Sequence, residues 1–324
     1  MPRIREWRVL EWRVLVVVLA IAAACGGHRK TRPATTSAAT ATAAANIAEL
    51  WIDPGDGAAR DTFAGPGGAE LAPDPAATYA FAKKKTHGTS PGYHVRDPSG
   101  REWSVKLGAE AQPEVVVSRL LWAAGYHQPP TYYVAHFQIE KDGTRIEQHG
   151  ARFRPELREM RKRGDWAWED NPFIGTRPYR GLLVLNMIVN NWDLKTEQNP
   201  ILDLDGEREG ARRWYVVRDV GASLGRTPGR ILDGTPNDLR GFEQQGFITG
   251  VEGGHVRFDY IRPRAELFAD ITPDEVRWAC ALLARLSERQ WNDAFRAGGY
   301  EPDQSARYIR KLREKIAAGR ALAG

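Results

Sequence analysis

From Tyr79 onward, polar and apolar positions alternate in a way that predicts short strands. Tyr79-Ala80-Phe81-Ala82 predicts the first. A lysine-rich loop with small residues follows, from Lys83 through Gly88 to Gly92. Tyr93-His94-Val95 then leads into Asp97-Pro98-Ser99-Gly100, a strong turn signal. Across the return strand Glu102–Leu107, Trp103, Val105 and Leu107 share one side, Ser104 and Lys106 the other. The hairpin therefore presents Lys106 opposite its own apolar face. Beyond Gly108 the period changes. Pro113 suits a first helical turn, Glu114 follows it, and Val116, Val117, Leu120, Leu121 and Ala124 form an apolar stripe that stops at Gly125.

The second half begins with Trp166-Ala167-Trp168 and Asn171-Pro172-Phe173. Leu182–Val189 is apolar on nearly every side and predicts a buried helix. It runs into Asn190-Asn191-Trp192-Asp193-Leu194-Lys195, and Asn199 precedes a strand at Pro200–Leu204. A second strand is expected over Trp214–Arg218, ending on Asp219-Val220-Gly221. Arg226 to Gly254 shows no period. Thr272 is placed to cap a helix carrying Val276, Cys280, Leu283 and Leu286–Ser287, and Trp291, Phe295 and Tyr300 extend its apolar material. In the last helix Tyr308, Ile309, Leu312 and Ile316 face inward, and Arg307, Arg310, Lys311, Arg313, Lys315 and Arg320 are expected on a solvated face.

The N-terminus reads as an address. Arg3, Arg5, Arg8 and Arg13 precede an apolar run from Val14 to Ala24. As a helix that run is about 16 Å long, against roughly 30 Å of bilayer hydrocarbon, so it describes an export signal. Ala22-Ala23-Ala24-Cys25-Gly26 resembles the lipobox of bacterial lipoproteins, with Ala22 where leucine is usual. The resemblance implies a signal peptide over 1–24, a lipidated Cys25 and a chain exported and lipid-anchored to the bacterial cell envelope, on its periplasmic or outer-surface side. Residues 25–48 are expected to form a low-complexity tether, and 49–324 the folded body. The four arginines, with Glu6 and Glu11, account for +2 of the net charge of +5. The remaining charge is too small to indicate a nucleic-acid partner. Two cysteines exclude a disulfide framework and a cysteine-based zinc site. The seven histidines hold no His-Glu-x-x-His and no tight cluster along the sequence.

Strand, loop, strand, turn, strand bearing Lys106, helix beginning with Glu114: this order resembles the amino-terminal lobe of protein-kinase-like enzymes. Asp193-Leu194-Lys195 with Asn199 is similar to the kinase catalytic loop, and Asp219-Val220-Gly221 to the Asp-Phe-Gly metal motif. Asn199 stands six residues after Asp193, one more than in typical protein kinases, and Asn191-Trp192 replaces the common His-Arg. These departures place the resemblance nearer to HipA-type, phosphatidylinositol-kinase-like or secretory-pathway kinases. It implies an α+β, two-lobed fold: a small β-rich lobe with one helix to about residue 140, and a larger, mainly helical lobe from about 150 to 324. It implies ATP or another nucleotide with Mg²⁺ or Mn²⁺ as cofactors. Lys106 would meet phosphates, fixed by Glu114, and Gly88 and Gly92 would line the nucleotide loop. Asp193 would orient the acceptor, Lys195 would touch the transferred phosphoryl group, and Asn199 and Asp219 would hold metal. The acceptor, whether protein, lipid or sugar, is not encoded legibly. An exported pseudokinase-like module that binds a ligand or a protein without catalysis is the alternative. No Gly-x-x-x-x-Gly-Lys-Ser/Thr segment occurs, which removes a P-loop.

Overall fold

The computed structural model describes residues 45–55, 59–86, 90–229, 233–260 and 264–323. The expected signal peptide, Cys25 and Gly88 lie outside them. Residues 44–324 form one compact unit with an α+β fold. Among the described residues no helix is long and apolar enough to cross a membrane.

Strands β1 (Thr78–Lys84), β2 (Gly92–Arg96) and β3 (Glu102–Leu107) follow the predicted hairpins. Helix α1 (Ala111–Ala123) separates them from β4 (Tyr132–Lys141) and β5 (Thr144–Pro155), two strands that the sequence pattern had not yielded. The five close into a barrel in the order β1-β2-β3-β5-β4, the β1–β4 seam being parallel. Its last strand runs to Pro155, past the expected lobe boundary. Alternation explains the barrel's interior: Trp103 and Val105 from β3 meet Phe153 and Ala151 from β5, with Tyr79 and Phe137. The intervening residues Ser104, Lys106, Arg152 and Arg154 therefore face away from that core, and register pairs Lys106 with Arg152 and Ser104 with Arg154. At the end of α1, Gly125 takes φ +101°, and a Cβ there would lie 2.2 Å from the Ile52 carbonyl, so only glycine fits.

Beyond the barrel come β6 (Met160–Asp165), α2 (Arg177–Ile188), β7 (Pro200–Arg208) and β8 (Ala211–Tyr215). Strands β6, β7 and β8 form a small antiparallel sheet. Strand β8 stops at Tyr215, three residues earlier than the pattern predicted, and Val216–Arg218 continues as irregular chain. Thr176 caps α2, and nearly all of that helix is buried, as expected. The aperiodic stretch after Arg226 contains α3 (Leu239–Gln244) and the hairpin of β9 (Ile248–Glu252) and β10 (His255–Phe258). Three helices complete the chain: α4 (Pro273–Ala284), α5 (Glu288–Ala297) and α6 (Pro302–Arg320). The sequence predicted one helix through Leu286–Ser287. It breaks at Ala284 because Ser287 and Gln290 form a second capping box and start α5. Helices α2, α4 and α6 pack around one large apolar core that includes Cys280.

Three expectations need correction. Residues 46–48 are not tether: Asn46 Nδ2 donates to the Gly210 carbonyl at 3.0 Å, and the Ala48 carbonyl lies 2.6 Å from His127 Nε2. Lys315 is not on a solvated face: it is buried, and its ammonium donates to the Ile188 carbonyl (3.2 Å) and to Asn190 Oδ1 (2.5 Å). The amphipathic period could not show this, because Lys315 serves the polar end of α2 and not water. Finally, two histidines that are distant in sequence meet: β4 and β5 set His136 opposite His149.

Candidate functional site

Lys106 leaves β3 on the side facing α1, and its ammonium meets three carboxylates. It lies 2.9 Å from Glu114, 2.8 Å from Glu110 and 2.6 Å from Asp219. The ammonium donates hydrogen bonds to Glu110 and Asp219, and its contact with Glu114 is an ion pair. Glu114, fully buried in the first turn of α1, also pairs with Arg152 at 2.8 Å and with Arg154. Burial opposes the ionised carboxylate, but Arg152, Lys106 and Arg154 hold its pKa far below the usual range. Burial likewise opposes a charged Lys106, yet Glu114 and Asp219 raise its pKa above the ordinary lysine value. The group is a network of fixed charges.

Two glycines make this approach possible. Gly92 is the register partner of Lys106, and a Cβ on it would lie 2.2 Å from the Val105 carbonyl. At Gly221 a Cβ would come within 2.7 Å of Glu110 Cβ and 2.9 Å of its carbonyl oxygen. The Asp219-Val220-Gly221 segment thus lies directly against the start of α1, which is what lets Asp219 reach Lys106.

The loop after α2 is built by asparagines. Asn190 takes φ +57° and donates to the Gly225 carbonyl at 2.7 Å, and Asn191 bonds Asn186 at 2.8 Å. Asp193 then accepts from Gln198 Nε2 at 2.6 Å and pairs with Lys195 at 2.9 Å. Its hydrogen-bonding partner Asp193 raises the pKa of Lys195 against partial burial, and Glu197 and Asp219 add to the effect. The Arg218 amide donates to the Gln198 carbonyl at 3.1 Å, joining this loop to the Asp219 segment.

A cavity of about 290 Å³ opens between β3, β5, the 155–157 connection and this loop. Leu157, Met160 and Leu202 give it an apolar side; Gln198 and Asp219 line it near Lys106. Four cations line it as well: Lys85, Arg152, Arg154 and Arg218. Arg152 and Arg154 are committed to Glu114, whereas the side chains of Lys85 and Arg218 form no ion pair with the described residues. Burial, with Arg152, Lys106 and Arg154 nearby, pushes the Lys85 pKa down to about 8.

The structure therefore brings Lys106, Glu114 and Asp219 into direct contact, with Gly92 behind them, and holds Asp193 and Lys195 together on an adjoining loop. Asn199 is placed differently. It is buried, donates to the Trp166 carbonyl at 3.3 Å, and is absent from the cavity wall. Gln198 lines the cavity instead, and its Oε1 is buried with no hydrogen-bond partner among the described residues. Counting would have found it, since Gln198 is five residues after Asp193. Arg152 and Arg154 were legible as the polar phase of Ala151-Arg152-Phe153-Arg154, once a strand is placed there. Glu110, Lys85 and Arg218 carried no such signal.

No protein-family model matches this chain, and no curated protein matches it in sequence. Among solved structures it is similar to the proinflammatory kinase CtkA of Helicobacter pylori, with 10% identity over 76% of this chain and 98% of that one, at a TM-score of 0.44. It is also similar to the MAP kinase LmaMPK10 of Leishmania major, with 10% identity over 75% of this chain and 94% of that one, at a TM-score of 0.21. At these TM-scores, what the site can do has to be read from its own side chains.

Proposed function

We propose that the protein is a two-lobed, kinase-like phosphotransferase that uses a metal-bound nucleotide, held at the cell envelope through a lipidated Cys25. One observation carries the reading. A lysine from the third barrel strand meets a buried glutamate of the following helix and the aspartate of an Asp-Val-Gly segment, all beside a single cavity. Phosphoryl transfer asks for this combination of a cation fixed by a carboxylate and a nearby oxygen ligand for a divalent ion.

The donor set fits Mg²⁺ or Mn²⁺. Asp219 offers a partly exposed carboxylate and Gln198 Oε1, on the cavity wall, a second oxygen; Asn199 Oδ1 equally lacks a hydrogen-bond partner but lies off that wall, so Gln198 takes the metal role first assigned to Asn199. A bound metal–nucleotide would supply the phosphoryl group. Within the chain, Lys106, Lys85 and Arg218 face its negative charge, and the apolar side of the cavity suits a base. Asp193 takes up the proton of an acceptor hydroxyl and orients it, while Lys195 balances charge on the group in transit. The acceptor is an unidentified protein, lipid or sugar.

The test uses the purified full chain. Mg²⁺ with ATP should raise its melting temperature, because a ligand at about a hundred times its Kd adds about 2.7 kcal/mol. Asp219→Ala should remove that shift, and Gln198→Ala should weaken it more than Asn199→Ala does. Asp193→Ala should keep binding and lose transfer to envelope extracts. Absence of any nucleotide effect on the wild type would sink the proposal. Binding without transfer would favour the pseudokinase alternative.

A further inference from the structure

The geometry points to a second, separate site on the outer face of the barrel: His136, Glu147 and His149 form a three-ligand site for a borderline divalent transition-metal cation, zinc in the first instance. Strands β4 and β5 pair His136 with His149 and Gln138 with Glu147. Residues two apart on a strand share a face, so Glu147 and His149 project on the same side, with His136 across the ladder. The two Nδ1 atoms lie 2.8 Å apart, their rings nearly perpendicular at 87°. One ligand atom from each of the three residues falls within 4.8 Å of the others, and all three residues are exposed.

The donor chemistry selects the ion. Two imidazole nitrogens and one carboxylate oxygen match zinc, which binds nitrogen at about 2.0–2.1 Å and carboxylate oxygen at about 2.0–2.2 Å, with a fourth position left to water. Mg²⁺ and Ca²⁺ want oxygen shells and have no reason to settle here. The two facing Nδ1 atoms each offer a lone pair to a cation placed between them, and the Glu147 carboxylate balances its charge. The ion would cross-link the hairpin at a point three residues from Arg152 and leave the Lys106 network untouched.

Zinc chloride titrated into the full chain near pH 7.5, followed by calorimetry, tests the inference. One equivalent should bind with a Kd in the low micromolar range. His136→Ala and His149→Ala should each weaken it about tenfold or more, and Glu147→Gln should weaken it several-fold. Metal-free melting temperatures should match the wild type in all three variants, since the side chains are exposed. Co²⁺ should give a visible absorption band in the wild type that is absent from the His149→Ala variant. Mg²⁺ and Ca²⁺ should give the same heat in the wild type and in the His136→Ala/His149→Ala double variant. Zinc binding that is identical in the wild type and in the His136→Ala/His149→Ala double variant would overturn the site, as would wild-type affinity weaker than about 100 μM.

Discussion

The two sides of the cleft are built by opposite means. At Lys106 the central pair is buried, with the side chains of Lys106 and Glu114 5% and 0% accessible, and only Asp219, at 37%, opens toward the cavity. At Asp193 the partners are few and solvent is close, with Lys195 63% accessible. The first arrangement spends apolar and ionic contacts on holding groups still. The second leaves a carboxylate and an ammonium in reach of whatever arrives. Under the proposed function, the rigidly held end would bind the nucleotide and the more exposed end would meet the acceptor.

Four measurements would break or sharpen that contrast. The largest effect should come from Glu114→Ala, which leaves Lys106, Arg152 and Arg154 crowded without their shared anion. Removing one partner from buried ion pairs costs about 3–5 kcal/mol, so thermal denaturation should show a drop of roughly 10 °C. A drop under about 2 °C would mean that the network is not structural. Gly221→Ala should come next. It forces the Asp219 segment away from Glu110, at about 1–3 kcal/mol, and weakens metal–nucleotide affinity along with stability.

The third is a pH effect. With its pKa lowered to about 8, Lys85 loses its proton in the folded chain where an ordinary lysine would still be charged. The protonated form attracts phosphate, so affinity for ATP should be greatest below pH 8 and fall several-fold, about 1 kcal/mol, by pH 9. Lys85→Met should flatten that profile; an unchanged slope would remove Lys85 from the phosphate site. The smallest effect on stability should be that of Lys195→Ala. An exposed pair is worth about 0–1 kcal/mol, so its melting point should barely move while transfer falls.

Sequence pattern revealed the parts with a period and missed the parts whose logic is three-dimensional. Glu102–Leu107 came out with its bounds and with Lys106 on the proper side, because alternation and the Asp97–Gly100 turn agree. Helix α1 and the cap at Thr272 have local causes and were equally open to reading, whereas the first turn of α2, capped by Thr176, carried too little apolar signal to be placed. Strands β4 and β5 escape the pattern, carrying little apolar signal at their far ends, where Gln138, Glu140, Lys141 and Thr144–Glu147 are exposed and mostly polar. With them went Arg152, Arg154 and the His136–His149 pair, since pairing across a hairpin is not visible as proximity along the chain. The Asp193 loop was recognisable by motif. The exchange of Asn199 for Gln198 on the cavity wall depends on which carboxamide the backbone turns toward the cavity.

Lys315 has a consequence for the order of assembly. Its bonds to Ile188 and Asn190 span 127 and 125 residues, and they fasten the start of the loop that bears Asp193. Contacts of such long range form late, after shorter loops have closed. The barrel strands pair across about 60 residues or fewer and can close earlier. The Lys106–Asp219 pair, 113 residues apart, and the Asp193 loop, secured only when α6 has docked, are both completed late. In refolding, barrel formation should therefore precede any protection by a ligand of the cavity.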